Sequence, residues 1–141
     1  MKSFEEYLSG GIVRKITPDT QRAKNLYLES KRKLKQLEKT INRQGIDDEN
    51  ANDYVEYGYN IIMFFIRANM FERGYTGSGQ GAHEAEVSFT ESLGLSKEEV
   101  RFLDELRYFR NGILYYGKRF DKEYALKIIE FVKQTIKKIG K

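Results

Sequence analysis

The chain has 141 residues, of which 33% are charged and 40% hydrophobic, and 25 Lys and Arg against 21 Asp and Glu give a net charge of +4. This length fits one domain with a single core and leaves too little chain for two. The absence of Cys and the single His exclude disulfides, thiol chemistry and a tetrahedral Cys/His zinc site. We therefore expect no metal and no cofactor, and catalysis by an imidazole has to use His83.

The N-terminal segment and the longest apolar run bear on location. Acidic residues occur near the N-terminus, where an export signal needs an apolar stretch. The longest apolar run, residues 61–66, is far shorter than the roughly 20 residues that span a bilayer. We therefore predict a cytoplasmic protein without a membrane partner.

Helix signals dominate the first half of the chain. A short helix is predicted from Ser3 to Leu8. Thr17 as the N-cap and Pro18 at the first helical position predict a long helix that ends near Gln44, before a glycine. Apolar residues at helical spacing predict a second long helix from Ala51 to Arg73, and its apolar centre is expected to form the heart of the core.

The second half begins with the glycine-rich segment from Gly74 to Gly81, which predicts a flexible loop. A shorter helix is predicted from Ala82 to Leu93. Ser96, with Glu three residues later, forms a capping box that opens a helix reaching about Tyr116, and Asp121 can cap a last amphipathic helix. No strand pattern or internal repeat is visible. These features predict a single all-α domain over residues 1–141, an up-and-down bundle of four to five helices.

Arg110 is the most unusual residue of the penultimate helix. On a helical wheel it falls inside the apolar arc, where a charge is costly unless it is paired, faces a wet cleft or lies at a subunit interface. A salt bridge to Glu99 or a snorkelling side chain is the simpler alternative. Asn111 and Tyr115 lie on the adjoining polar face one turn apart, so their side chains can meet.

Two further patterns indicate partner surfaces. Basic residues outnumber acids between Arg22 and Arg43, which is typical of a solvated helix face and also suits an acidic partner. Ten Tyr and nine Phe exceed what one small core needs. They favour a homodimer face that includes Phe102, Phe109 and Tyr116, with burial in the core as the alternative.

The string Arg110-Asn-Gly-Ile-Leu-Tyr-Tyr-Gly117 resembles the motif of the HEPN superfamily of small helical bundles. In that motif an Arg, often followed by Asn, precedes a His by four to six residues. The segment from Tyr59 to His83 also resembles these proteins, with an aromatic-rich helix, an Arg-Ala pair, a glycine loop and a His. The resemblance extends from about Asn25 to the end and implies a homodimeric helical module.

The resemblance also implies how a site would work. In members that are ribonucleases, Arg and His of two subunits meet at the dimer cleft and cleave RNA without metal. Tyr115 stands at the position of that His, as in the branch of the family with Tyr there. A phenol, with an ordinary pKa near 10, is a poor general base at neutral pH. His83 is either a surface residue or, if its helix folds back, a substitute base near Arg110 or Asn111.

Three functions follow as expectations. The first is binding of nucleotide or RNA phosphate by Arg110, Asn111, Tyr115 and Arg107 at a cleft, because an Arg fork offers phosphate two donors in fixed geometry. The second is a toxin-like, metal-independent ribonuclease that uses Arg110 and Asn111 with His83 or Tyr115. The third is a purely structural module that holds a partner such as a minimal nucleotidyltransferase, with Arg110 in an interface salt bridge.

Overall fold

The computed structural model describes residues 1–140 and confirms the predicted all-α fold. These residues form six α-helices, one turn of 3-10 helix and a small two-stranded sheet. In chain order the elements are α1 (Phe4–Ser9), β1 (Val13–Lys15), α2 (Thr20–Gln44), α3 (Ala51–Arg73), β2 (Tyr75–Gly77), α4 (Ala82–Phe89), the 3-10 turn (Thr90–Leu93), α5 (Lys97–Tyr116) and α6 (Lys122–Ile139). None of these helices is both long and apolar enough to cross a membrane.

Local capping signals define the ends of the last two helices as predicted. Ser96 and Glu99 form the expected capping box at the start of α5. Gly117 ends that helix in the left-handed conformation, with φ of 64°, which favours glycine. The Asp121 side chain accepts a hydrogen bond of 2.9 Å from the backbone N–H of Tyr124 and caps α6.

The start of α2 differs from the prediction. Asp19, rather than Thr17, is the N-cap, and its carboxylate accepts a 3.0 Å hydrogen bond from the backbone N–H of Arg22. The backbone N–H of Asp19 also donates to the carbonyl of Phe71, at 2.9 Å. Because this bond ties the chain to the end of α3, Pro18 lies before the helix and not at its first position.

The helix predicted from Ala82 to Leu93 is α-helical only to Phe89. It then tightens into the 3-10 turn, and Gly94 ends that turn with φ of 105°. The hydroxyl of Thr90 donates to the carbonyl of Val87, at 2.6 Å. Such side-chain bonds to nearby carbonyls compete with the α-helical pattern.

The predicted loop after α3 contains a strand that the sequence pattern did not indicate. β2 pairs antiparallel with β1, with Val13 opposite Gly77 and Lys15 opposite Tyr75. The partners are three residues long and lie about sixty residues apart in the chain, so no alternation and no hairpin signal marks them. The pairing fixes the start of the glycine-rich loop against the N-terminal segment.

Helix α3 is the centre of the core, as predicted, and packs against both α2 and α6. Gly58 permits a close approach to α6, since a Cβ there would lie 3.1 Å from Cγ2 of Ile128. Asn52, nearly buried, ties the α5–α6 connection to α3. Its amide donates to the carbonyl of Lys118 at 2.7 Å and accepts from the N–H of Phe120 at 2.8 Å.

Only the first half of the apolar arc on α5 is fully buried. Val100, Leu103 and Leu106 are buried, whereas Leu114 is 52% exposed. Phe109 packs against Phe120 within the chain, with ring centres 5.2 Å apart. The apolar side chains in the C-terminal half of α5 are therefore only partly covered by the rest of the described chain.

Candidate functional site

Arg110 lies where α5 meets α3 and has no carboxylate partner. Its guanidinium is 5.4 Å from the centre of the Tyr59 ring. Its Nε atom is buried without a hydrogen-bond acceptor among residues 1–140. Glu99, the predicted partner, instead forms a 2.6 Å ion pair with Lys138. The Arg110–Glu99 salt bridge is thus wrong, and Arg110 keeps an unneutralised charge in a partly buried position.

Arg67 of α3 connects the buried Glu86 to His83, both of α4. The Nε atom of Arg67 donates to Oε2 of Glu86 at 2.6 Å, and Nη2 is 3.4 Å from Oε1. The same Nη2 lies 3.1 Å from Nδ1 of His83. Because a guanidinium can only donate, Nδ1 accepts this bond, and neutral His83 carries its proton on Nε2.

Arg107, predicted to bind the ligand, is occupied by intrachain ion pairs. Its Nε atom donates to Asp104 at 2.9 Å, and its Nη2 atom lies 3.5 Å from Glu84. Glu84 also accepts a short hydrogen bond from the hydroxyl of Tyr7. Burial and this bond raise the pKa of Tyr7 to about 12. Arg107 therefore holds α1, α4 and α5 together, and its charge is balanced.

The pKa shifts show that these groups share one electrostatic environment. Partial burial lowers the pKa of His83, Arg67 and Arg110 lower it further, and Glu86 opposes them in part. His83 is therefore neutral at pH 7. Burial also raises the pKa of Tyr59, against the opposing effect of Arg110. Arg110 therefore acts electrostatically on His83 within a single chain.

Asn111 and Tyr115 do not join this group. Asn111 is half-buried, and its side chain makes no hydrogen bond in the described chain, including the expected one to Tyr115. Tyr115 is 71% exposed, near the end of α5. Of the predicted site residues, Arg110 and Arg107 thus act electrostatically on His83, and neither Asn111 nor Tyr115 has a hydrogen bond to any of these three in the described chain.

Arg67 and Glu86 are the residues that sequence reasoning missed as site components. Arg67 is the one cation between Ala51 and Phe71 in a helix that is otherwise almost wholly core. This is the signal that singled out Arg110, a charge inside an apolar stretch. The same criterion, a charged residue inside an apolar helical stretch, identifies Arg67 when it is applied to α3.

Neither a protein-family model, nor a curated protein, nor a solved structure matches the chain. The geometry of Arg67, His83 and Arg110, hereafter the arginine–histidine cluster, therefore carries the functional argument.

Proposed function

We propose that the chain is a HEPN-like helical module that binds the phosphate of a nucleotide or of RNA at Arg110. One observation carries the proposal: the buried Nε of Arg110 has no acceptor, and no carboxylate of residues 1–140 lies within ion-pair distance of its guanidinium. A desolvated cation without a partner is costly in a fold. A phosphate bound to the guanidinium supplies the negative charge that Arg110 lacks.

His83 and Arg67 add donors beside Arg110. The His83 side chain is 57% exposed and offers its Nε2–H, because Nδ1 already accepts from Arg67. Arg67 is one-third exposed, and its charge is offset by Glu86. Arg110 thus supplies the net positive charge of the site, while Arg67 and His83 orient the anion.

The proposal includes a homodimer that forms through the C-terminal half of α5. Large side chains are exposed there: Tyr108 (68%), Leu114 (52%), Tyr115 (71%) and Tyr116 (88%). Exposed large side chains at one end of a helix favour an interaction site there. We call this end of the helix the α5 aromatic face; Leu114 lies one turn after Arg110 on the same side of α5, so a dimer that pairs around Leu114 would place the two copies of Arg110 near the contact. Phe102 and Phe109, expected on this face, pack within the subunit instead.

Fluorescence anisotropy with a short labelled single-stranded RNA tests the phosphate site. We expect Arg110→Ala to weaken binding by about tenfold or more, since hydrogen bonds to charged groups contribute about 1.5–3 kcal/mol each. Arg110→Lys keeps the charge but loses the fork, so it should fall between wild type and Ala. Arg101→Ala, an exposed Arg of the same helix, is the control. Equal binding by wild type and Arg110→Ala would rule out the phosphate site at Arg110, and no binding by either would favour the purely structural module.

A metal-independent ribonuclease is the second candidate, because neutral His83 lies in the arginine–histidine cluster. As a base, the imidazole would take the 2′-hydroxyl proton, O2′ would bond to phosphorus to form a 2′,3′-cyclic phosphate as the P–O5′ bond breaks, and the O5′ leaving group would take a proton from water. However, the one lone pair of neutral His83, on Nδ1, already accepts from Arg67, which favours a donor role over a base. RNA incubated with the protein in EDTA distinguishes the two. Cleavage that His83→Gln abolishes supports the enzyme, and intact RNA with measurable binding supports the module.

A further inference from the structure

A cleft of about 490 Å³ adjoins the arginine–histidine cluster. It lies between α2, α3, the β2 strand with the loop after it, and the start of α4. Its floor is apolar, made by Leu26, Phe64, Met70 and Phe71. Its volume falls in the range of small-molecule sites, about 300–1,000 Å³.

Arg22 forms a flat platform at the α2 side of this cleft. Its guanidinium carbon lies 4.2 Å from the centre of the Phe71 ring. Arg22 is exposed and has no ion-pair partner in the described part of the chain. A guanidinium plane stacked on an aromatic ring suits a second flat, electron-rich ring.

The opposite wall offers unused hydrogen-bonding groups. Thr76 and Ser78 line the cleft, and the hydroxyl of neither makes a hydrogen bond within residues 1–140. The backbone here is held in place, because β2 pairs with β1 and the N–H of Ser78 donates to the carbonyl of Ile12 at 3.1 Å. These hydroxyls can therefore bond the polar edge of a ring that lies on the apolar floor.

We infer that this cleft binds the heterocyclic base of the nucleotide whose phosphate Arg110 holds. Arg67 and His83 line the cleft, and Arg110 acts electrostatically on His83, so the cleft adjoins the charge that the proposed function assigns to phosphate. A ligand with a flat ring, polar ring edges and an attached anion fits the platform, the hydroxyl wall and the cations together. This inference rests on the proposed function and names the second part of the ligand that the function requires.

Calorimetric or NMR titration with a set of small probes tests the base site separately from the phosphate site. The probes are the four 5′-mononucleotides, ribose 5-phosphate and the corresponding nucleosides. We expect at least one mononucleotide to bind about fivefold or more tightly than ribose 5-phosphate, the gain typical of one stacked base. Arg22→Ala and Ser78→Trp, which removes cleft volume, should abolish this gain and leave ribose 5-phosphate binding unchanged. Arg43→Ala, at the far end of α2, removes the same charge and should have no effect.

The other outcomes would contradict the base site, the phosphate site or both. If ribose 5-phosphate binds through Arg110 as tightly as every mononucleotide, the base site is wrong and the phosphate site stands. If nucleosides bind and Arg22→Ala weakens them while Arg110→Ala changes nothing, the base site stands and the proposed phosphate site is wrong. If no probe binds, both are wrong.

Discussion

The guanidinium of Arg110 lies over the buried ring of Tyr59, at 5.4 Å from its centre. Tyr59 is 3% exposed, so the contact places a cation against the core of α3. A cation–π contact contributes about 0.5–2 kcal/mol, which only partly offsets the loss of water around a charge. Arg110 is thus held at a defined position without the carboxylate that would neutralise it.

Replacing Arg110 should therefore cost little stability. We predict that Arg110→Met, which keeps the aliphatic stem, either raises the free energy of unfolding or lowers it by less than about 1 kcal/mol, because no ion pair is lost. Urea denaturation followed by circular dichroism measures this. A decrease of 2 kcal/mol or more in the free energy of unfolding would show that Arg110 stabilises the fold, which would contradict a ligand-binding role for it.

Replacing Arg67 should have the opposite effect. Arg67→Met leaves the carboxylate of Glu86, whose side chain is 7% exposed, without its cation. We predict a loss of about 2 kcal/mol, below the 3–5 kcal/mol of a fully buried pair because Arg67 is one-third exposed. The double variant Arg67→Met with Glu86→Leu should recover part of the loss. Unchanged unfolding in urea for the single variant would contradict the ion pair.

The only His gives a pH signal that belongs to one residue. The pKa of His83 is lowered, so between that value and 6.5 the unfolded chain binds more protons than the folded chain, and acid favours unfolding. The stability that neutral His83 contributes is present above pH 6.5 and is lost as the pH falls through the lowered pKa. An NMR titration of the imidazole C–H signals should give a midpoint below 6.5, absent in His83→Gln. A midpoint above 6.5 would place His83 outside the arginine–histidine cluster.

The dimer is tested on the α5 aromatic face. We predict that Leu114→Glu converts a dimer to a monomer, because a charge on each copy would be buried against the other. Light scattering after size-exclusion chromatography measures the mass. Leu126→Glu is the matched control, since Leu126 is 45% exposed on α6. A wild-type protein that is monomeric at high concentration, or equal effects of both variants, would rule out this interface.

Most of the fold could be predicted because its signals are local. The capping box of Ser96, the glycines that end helices and the cap of Asp121 each act within a few residues of the boundary they set. The pairing of β1 with β2 could not be predicted, since its partners are brought together by the packing of α1 and α3. The N-cap of α2 could not be predicted either. A hydrogen bond from Asp19 to the end of α3 makes Asp19 the N-cap, although Pro18 is suited to the first position of a helix.

The candidate site could be predicted in part. Arg110 could be singled out as a charged residue within an apolar arc, because the position of a residue on a helical wheel depends only on helical geometry. Its contact with Tyr59 and the link from Arg67 to His83 depend on how α3, α4 and α5 pack together. Tyr115 matched a motif position, yet it lies on the surface, because α5 extends beyond the helices that cover it.

The side-chain Nε–H signal of Arg110 offers the most direct test of the phosphate site. In ¹H–¹⁵N spectra it can be assigned by its absence in Arg110→Lys. On titration with a short single-stranded RNA, we predict that this signal shifts and saturates with the binding curve, because a phosphate bound to the guanidinium changes the electrostatic environment of Nε, while the signal of Arg101 stays in place. An Arg110 signal that does not move while RNA binds, or one that moves no more than that of Arg101, would contradict the proposed site.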